Sequence, residues 1–204
     1  MIWMIRRLLP LVLVVACTAG RADEDSPSSS GSGSASASVV DSVVPISVAL
    51  DRFRAGLEQP GGLHGNVIYR DTLVRLVMQA LEESDTLAFE QIAVNRAEWA
   101  WLYYPTNILA QPPYELPPAL AWFQLQETSR KGVFRALREY GDQKLDYRGY
   151  RCDPQPTIED QNRLWTNCIV TVARAGEPSK DVRLFGAILE RTGHFAILSY
   201  DNDF

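Results

Sequence analysis

The chain has 204 residues, of which 46% are hydrophobic, and its formal net charge at pH 7 is -5. This length predicts one globular domain with accessory segments, and the apolar content is sufficient for a core. Because the chain is mildly acidic and has no cluster of lysine or arginine after Arg7, its composition argues against a nucleic-acid partner and against binding to anionic lipid headgroups.

The N-terminal segment has the pattern of a secretion signal. Two arginines precede an apolar run over residues 8–16, which is too short to span a bilayer comfortably and ends in small residues. Residues 14–17 read Val-Val-Ala-Cys and resemble the lipobox of bacterial lipoproteins, in which a cysteine follows a small residue. The resemblance implies that residues 1–16 are a lipoprotein signal peptide and that Cys17 becomes the acylated first residue of the mature chain.

Acylation of Cys17 implies where the protein sits. Two or three acyl chains hold a protein stably on a membrane, so the membrane is the first expected partner and the cell envelope the expected location. Thr18, rather than aspartate, follows the cysteine, which in a Gram-negative cell predicts an outer-membrane lipoprotein facing the periplasm. An ordinary signal peptide cleaved near Ala19 or Ala22 is the alternative.

Composition divides the rest of the chain into a tether and a folded domain. Residues 17–38 are first acidic and then almost entirely Ser, Gly and Ala, so they cannot bury apolar area and predict a flexible coil behind the lipidated terminus. Residues 39–204 are expected to form a single globular α+β domain, with helices first. Ser129 is predicted to begin the last helix, in which Phe134 faces inward. Apolar spacing and capping signals predict helices over residues 47–57, 71–83, 86–104, 117–125 and 129–141.

The stretch over residues 98–123 concentrates aromatic residues around two proline pairs. It predicts an aromatic helix that ends at Pro105, a stiff crossover and a second helix. The aromatic side chains either form plain core or line a ligand pocket. Glu98 is expected on the solvated surface of its helix, and a carboxyl held against an apolar wall is the alternative. The candidate pocket-lining residues are Glu98, Trp99, Trp101, Tyr103, Tyr104, Tyr114 and Trp122.

The last third of the chain has an apolar pattern with a period of two. Short connections between the predicted strands indicate a curved, four-stranded antiparallel meander against which the helices pack. Cys152 ends the first strand and Cys168 lies in the second. In an oxidising compartment two remaining thiols usually pair, so a disulfide between these cysteines is predicted. The four strands are expected over residues 145–151, 163–174, 182–190 and 195–200.

Two regions resemble NTF2-like (SnoaL-like) domains. One is the helix over residues 71–83 with the Ser-Asp-Thr turn and the apolar helix that follow it, and the other is the closing strand pair over residues 183–190 and 194–200. The resemblance implies a cone with a pocket between the helices and the concave face of the sheet. The chain departs from the family over residues 106–116, where a proline-rich segment replaces a strand pair. A different α+β domain with helices on a sheet is the alternative, and the resemblance carries over no catalytic residue.

The sequence lacks the common catalytic and metal-binding motifs. It contains no G-x-S-x-G, Walker or H-E-x-x-H pattern, and two histidines cannot supply a multi-histidine metal site. His64, in a glycine-rich loop, and His194, at the start of a strand, are expected at the surface. No catalytic residue, metal or cofactor is therefore predicted.

Three functional hypotheses follow from these patterns. The favoured one is a lipid-anchored binding or accessory protein of the cell envelope, whose aromatic pocket or surface holds a small apolar ligand or a protein partner. A scaffold protein without a ligand is one alternative. An NTF2-like enzyme is the other, with a lone acid such as Glu98 and a tyrosine inside the cone. The presence of a cavity would favour the binding protein or the enzyme over the scaffold protein.

Overall fold

The computed structural model describes residues 44–204, so the signal peptide, Cys17, the whole tether over residues 17–38 and the first residues of the predicted domain lie outside the described residues. Helices come first and strands follow, which confirms the α+β class. No helix of this described part is long and apolar enough to cross a membrane. The α-helices are α1 (Ile46–Arg54), α2 (Arg70–Glu82), α3 (Thr86–Gln91), α4 (Arg96–Glu98) and α5 (Pro118–Tyr140). The strands are β1 (Leu145–Arg151), β2 (Thr157–Glu159), β3 (Asn162–Thr166), β4 (Ile169–Arg174), β5 (Lys180–Val182), β6 (Ala187–Arg191) and β7 (His194–Ser199).

The seven strands form two antiparallel sheets, so the prediction of a single four-stranded meander is wrong. One sheet has the order β1-β4-β5 and the other β2-β3-β6-β7. The strand predicted over residues 163–174 is two strands, β3 and β4, because the chain turns at Asn167, whose φ is +50°. The strand predicted over residues 182–190 is likewise divided between β5 and β6. The break ends at Gly186, where a Cβ would lie 2.5 Å from the Ser199 hydroxyl, so the chain passes close to β7 there.

Helix α5 is one continuous helix, where the sequence predicted two. It begins at Pro118, as the proline pair indicates, because proline is tolerated in the first helical turn. Ser129 begins no second helix, and its hydroxyl instead accepts a hydrogen bond from the Tyr200 backbone N–H at 3.2 Å. The helix predicted over residues 86–104 is also different. It is divided into α3, α4 and a five-residue π-helix, Trp99–Tyr103.

Two clusters of buried side chains hold the helices on the sheets. The first lies among α2, the C-terminal half of α5 and strands of both sheets, with Leu73, Leu81 and Ile188 fully buried. The second lies among α1, the π-helix, the N-terminal part of α5 and the β6–β7 pair, with Trp99 buried in it. Burial of such large apolar side chains is the main term that favours this packing.

The C-terminal segment after β7 packs directly on α5. Asn202 is buried, and its Nδ2 donates a hydrogen bond to the Gly132 carbonyl oxygen at 2.9 Å. Arg135 donates to the Asn202 side-chain and backbone oxygens, both at 2.8 Å. A Cβ on Gly132 would lie 1.6 Å from the Tyr200 carbonyl oxygen. The absence of a side chain at position 132 therefore allows the helix and this segment to touch.

The predicted Cys152–Cys168 disulfide is present. β1 and β4 are antiparallel neighbours, and Arg151 pairs with Ile169 at the end of their ladder. The two cysteines are the next residues outward on the two strands, so the bond closes the segment that contains β2 and β3. Cys168 is fully buried, which shields this bond at one of its two ends.

Removing the disulfide by Cys152→Ala together with Cys168→Ala should lower the free energy of unfolding by about 3 kcal/mol, because the bond restrains the loop in the unfolded chain. Urea unfolding of the oxidised wild type and the double variant measures this difference. A reductant should shift the wild-type curve towards that of the variant and leave the variant unchanged. Coincident curves for the oxidised wild type and the variant would contradict the prediction.

Candidate functional site

The aromatic segment supplies the centre of the second core cluster. Trp99 and Tyr104 are buried, and their ring centroids lie 4.6 Å apart. Trp99 also contacts Phe53 and Trp122, at centroid distances of 5.5 and 5.4 Å. The Tyr104 hydroxyl donates a hydrogen bond to the Leu116 carbonyl oxygen. These rings therefore join α1, the π-helix and α5 in one packed unit.

The other aromatic candidates lie at the edge of this cluster. Trp101 is half-buried, and the Arg54 guanidinium lies 4.0 Å from its ring centroid, which is within cation–π range. The Tyr103 hydroxyl accepts a hydrogen bond from Asn107 Nδ2 at 2.8 Å, and burial raises the pKa of Tyr103. Tyr114 is exposed. None of the predicted pocket-lining residues borders the groove described below, so their role in a pocket stays a prediction.

Glu98 is fully buried, so the expectation of a solvated carboxylate is wrong. With Asn95 it forms a capping box at the start of α4. The Glu98 N–H donates to Asn95 Oδ1 at 2.9 Å, and the Asn95 N–H donates to Glu98 Oε2 at 3.0 Å. Such a box satisfies N–H groups that have no partner inside a helix. The Asn-x-x-Glu spacing ahead of an apolar run is its sequence signal, which the surface interpretation overlooks.

His64 lies against the same carboxylate. Its backbone N–H donates to Glu98 Oε1, and its Nδ1 lies 2.9 Å from both Oε1 and Oε2. A proton on Nδ1 directed at the carboxylate leaves Nε2 as the acceptor nitrogen. The imidazole is exposed, as the sequence predicts for this loop residue, and one of its nitrogens is held by a buried carboxylate. The two residues are 34 positions apart, so no local pattern indicates that they meet.

The His64–Glu98 pair fastens the loop before α2 to α4. Both carboxylate oxygens of Glu98 accept hydrogen bonds from His64 and Asn95. The hydrogen-bonding partners of this acid therefore lie within the protein. No cluster of three metal-ligating side chains occurs within residues 44–204. Glu98 orients the imidazole of His64 and holds the loop before α2 in place, so we assign this pair a structural role.

An apolar groove of about 410 Å³ lies between α3 and α5, with β7 and the residue after it as its floor. Phe89 and Tyr200 pack edge to face in this floor, with ring centroids 5.2 Å apart. The Tyr200 hydroxyl donates to the Phe89 carbonyl oxygen at 2.7 Å, and burial raises the pKa of Tyr200 well above its usual value. The hydroxyl therefore stays protonated and internally bonded. The apolar lining is Phe89, Ala93, Val94, Val133, Phe134, Leu137, Leu198 and Tyr200.

The rim of the groove is polar and carries both charges. Glu127 and Arg130 of α5 form an ion pair at 2.8 Å, and Glu90 of α3 lies across from them. Phe134, predicted to face inward, is exposed at the edge of the groove. The core-facing side of α5 is instead formed by small residues and Tyr140. Helical periodicity predicts the apolar residues of α3 and α5, but the gap between the two helices depends on their tertiary packing.

Comparisons with protein-family models, with curated proteins and with solved structures found no match for this chain. The groove and the buried pair are therefore interpreted from their own geometry and chemistry.

Proposed function

We propose that this protein is a lipid-anchored binding protein of the cell envelope, and that its α3–α5 groove holds a small apolar ligand. The groove carries the proposal. Its volume of about 410 Å³ falls in the range of small-molecule sites, which are mostly apolar with a few polar groups at defined positions. The floor is apolar and the Glu127–Arg130 pair lies at the rim, so the ligand is an apolar body with at most one polar end.

The location rests on the N-terminal pattern and the disulfide. The lipobox-like residues 14–17 and the tether over residues 17–38 support an acylated Cys17 and a domain held away from the membrane. A disulfide is typical of proteins that fold in oxidising compartments. Together these features favour the envelope, and in a Gram-negative cell the periplasmic face of the outer membrane.

The NTF2-like resemblance supports the same position for a ligand. In that family the pocket lies between helices and sheet, and here the groove lies between two helices and β7. The enzyme alternative needs a lone acid with an oxygen free for a substrate, whereas both oxygens of Glu98 accept hydrogen bonds from the protein. We therefore propose binding rather than catalysis.

The test uses residues 17–204 exported to a bacterial periplasm, with Cys17→Ser so that no acyl chain is attached. Titration with the neutral fluorescent probe N-phenyl-1-naphthylamine should show saturable binding. Val133→Trp places a large ring in the groove and should weaken binding by at least about tenfold. Lys131→Trp adds the same ring to an exposed position of α5 that does not line the groove, and should leave binding unchanged.

Native mass spectrometry of the same protein adds an independent readout. A bound molecule that disappears on denaturation, and that Val133→Trp excludes, would give the chemical class of the ligand. Equal probe binding by both tryptophan variants, or no saturable binding by the wild type, would overturn the groove assignment and leave the scaffold alternative.

A further inference from the structure

Helix α5 carries an exposed stripe that its own fold leaves uncovered. Leu120, Phe123 and Phe134 are 44%, 61% and 65% exposed. Between them lie Glu127 and Arg130, which pair with each other at the surface. The spacing of these five residues alternates between three and four, which places them on one side of a helix. Two large exposed phenylalanines on one helix face are unusual on the surface of a soluble domain and mark an interaction surface.

The stripe is complementary to itself when it is read in the opposite direction. About a midpoint between residues 128 and 129, Phe123 is the counterpart of Phe134, and Glu127 is the counterpart of Arg130. Leu120 has as its counterpart Leu137, which is half-buried and packs on the first core cluster. Aromatic rings of the two stripes therefore face each other, and each acid faces a base. Three-and-four spacing is also the spacing that lets two helices pack closely along their length.

We propose that the stripe of α5 pairs antiparallel with the same stripe of a second copy, and that the protein is a two-fold symmetric dimer. A two-fold interface places the same patch of both copies together, so that if one residue contacts another, the reverse contact also exists. Each Phe123 then packs on the partner's Phe134. Each Glu127 then faces the partner's Arg130, and the four charges form one neutral cluster at the centre.

The charged layer also selects the antiparallel arrangement. In a parallel pair of the same stripes, Glu127 would face Glu127 and Arg130 would face Arg130, and like charges at an interface disfavour that arrangement. In coiled coils, a polar layer between apolar layers likewise fixes how the two helices align along their length. Another protein partner would need to match this charge order by its own sequence, whereas a second copy matches it by symmetry. This inference does not depend on ligand binding, although Glu127, Arg130 and Phe134 also border the α3–α5 groove and the partner helix would lie along that border.

Sedimentation velocity of residues 17–204 with Cys17→Ser tests the dimer over a range of concentrations. Glu127→Arg alone and Arg130→Glu alone each place like charges opposite each other, and each should weaken dimerisation by at least about tenfold. An equimolar mixture of the two variants should restore a dimer, because every charged contact between them is again attractive. The double variant Glu127→Arg with Arg130→Glu should also dimerise.

Two controls keep the result specific. Arg52→Glu changes charge by the same amount at an exposed position of α1 and should dimerise like the wild type. Recovery in the mixture shows that both single variants are folded. A wild type that stays monomeric at its highest soluble concentration would overturn the proposal. Single variants that dimerise like the wild type, or a mixture that stays monomeric, would overturn it as well.

Discussion

Replacing Gly132 with alanine should lower the free energy of unfolding by more than about 3 kcal/mol, although alanine is the better helix former by about 1 kcal/mol. The added Cβ would lie 1.6 Å from the carbonyl oxygen of Tyr200 and 2.7 Å from its carbonyl carbon. Both are backbone atoms, so no side-chain rotation relieves the overlap. The C-terminal segment must move away from α5, and Asn202 then loses its bond to the Gly132 carbonyl.

Urea unfolding measures this effect, with Lys131→Ala as the matched control. Lys131 is the neighbouring residue of α5 and is exposed, so its replacement should change stability by less than about 0.5 kcal/mol. Amide exchange in β7 should also accelerate in the Gly132 variant, because the segment that follows β7 is displaced. A Gly132→Ala variant as stable as the wild type, or more stable, would show that α5 and the C-terminal segment are not in direct contact.

Local patterns predicted those parts of the fold that depend on near neighbours. The proline pair marks the start of α5, because proline suits the first turn of a helix. The two cysteines that remain after Cys17, in a chain with a secretion signal, indicate the disulfide, which the structure contains. Alternation and helical spacing together predict the α+β class. Each of these inferences needs only residue types and their spacing along the chain.

The strand divisions and the site depend on contacts between distant segments, which explains why they were missed. Alternation continues across Asn167, and only its turn conformation moves β3 and β4 into different sheets. The aromatic density of residues 98–123 indicates large buried rings. This density does not distinguish a packed core from a ligand cavity, because the same residue types line both. The groove is instead lined by apolar residues of α3 and α5 that lie outside this aromatic stretch, and their spacing alone is that of ordinary core helices.

The His64–Glu98 pair also joins distant segments, so local sequence patterns do not predict it. It gives the second prediction of a large loss of stability. Glu98→Ala should lower the free energy of unfolding by about 4 kcal/mol, because it removes the acceptor of several partly buried donors and each unsatisfied donor costs about 1–3 kcal/mol. The donors are the backbone N–H groups of His64 and Asn95 and the His64 ring nitrogen Nδ1. Water reaches the half-exposed imidazole and reduces its share of the cost.

Chemical unfolding of Glu98→Ala, Glu98→Gln and Glu58→Ala separates this role from a general effect of losing an acid. Glu58 is exposed, so its replacement should be nearly neutral. Glutamine keeps the shape of Glu98 but replaces one acceptor oxygen with an NH₂ group, which cannot accept a hydrogen bond from these donors. The loss of stability in Glu98→Gln should therefore lie between the losses in Glu98→Ala and Glu58→Ala. Amide exchange at His64 and Asn95 should accelerate in both Glu98 variants. If Glu98→Ala is as stable as Glu58→Ala, the carboxylate does not hold this loop, because a buried acceptor of these donors cannot be removed without cost.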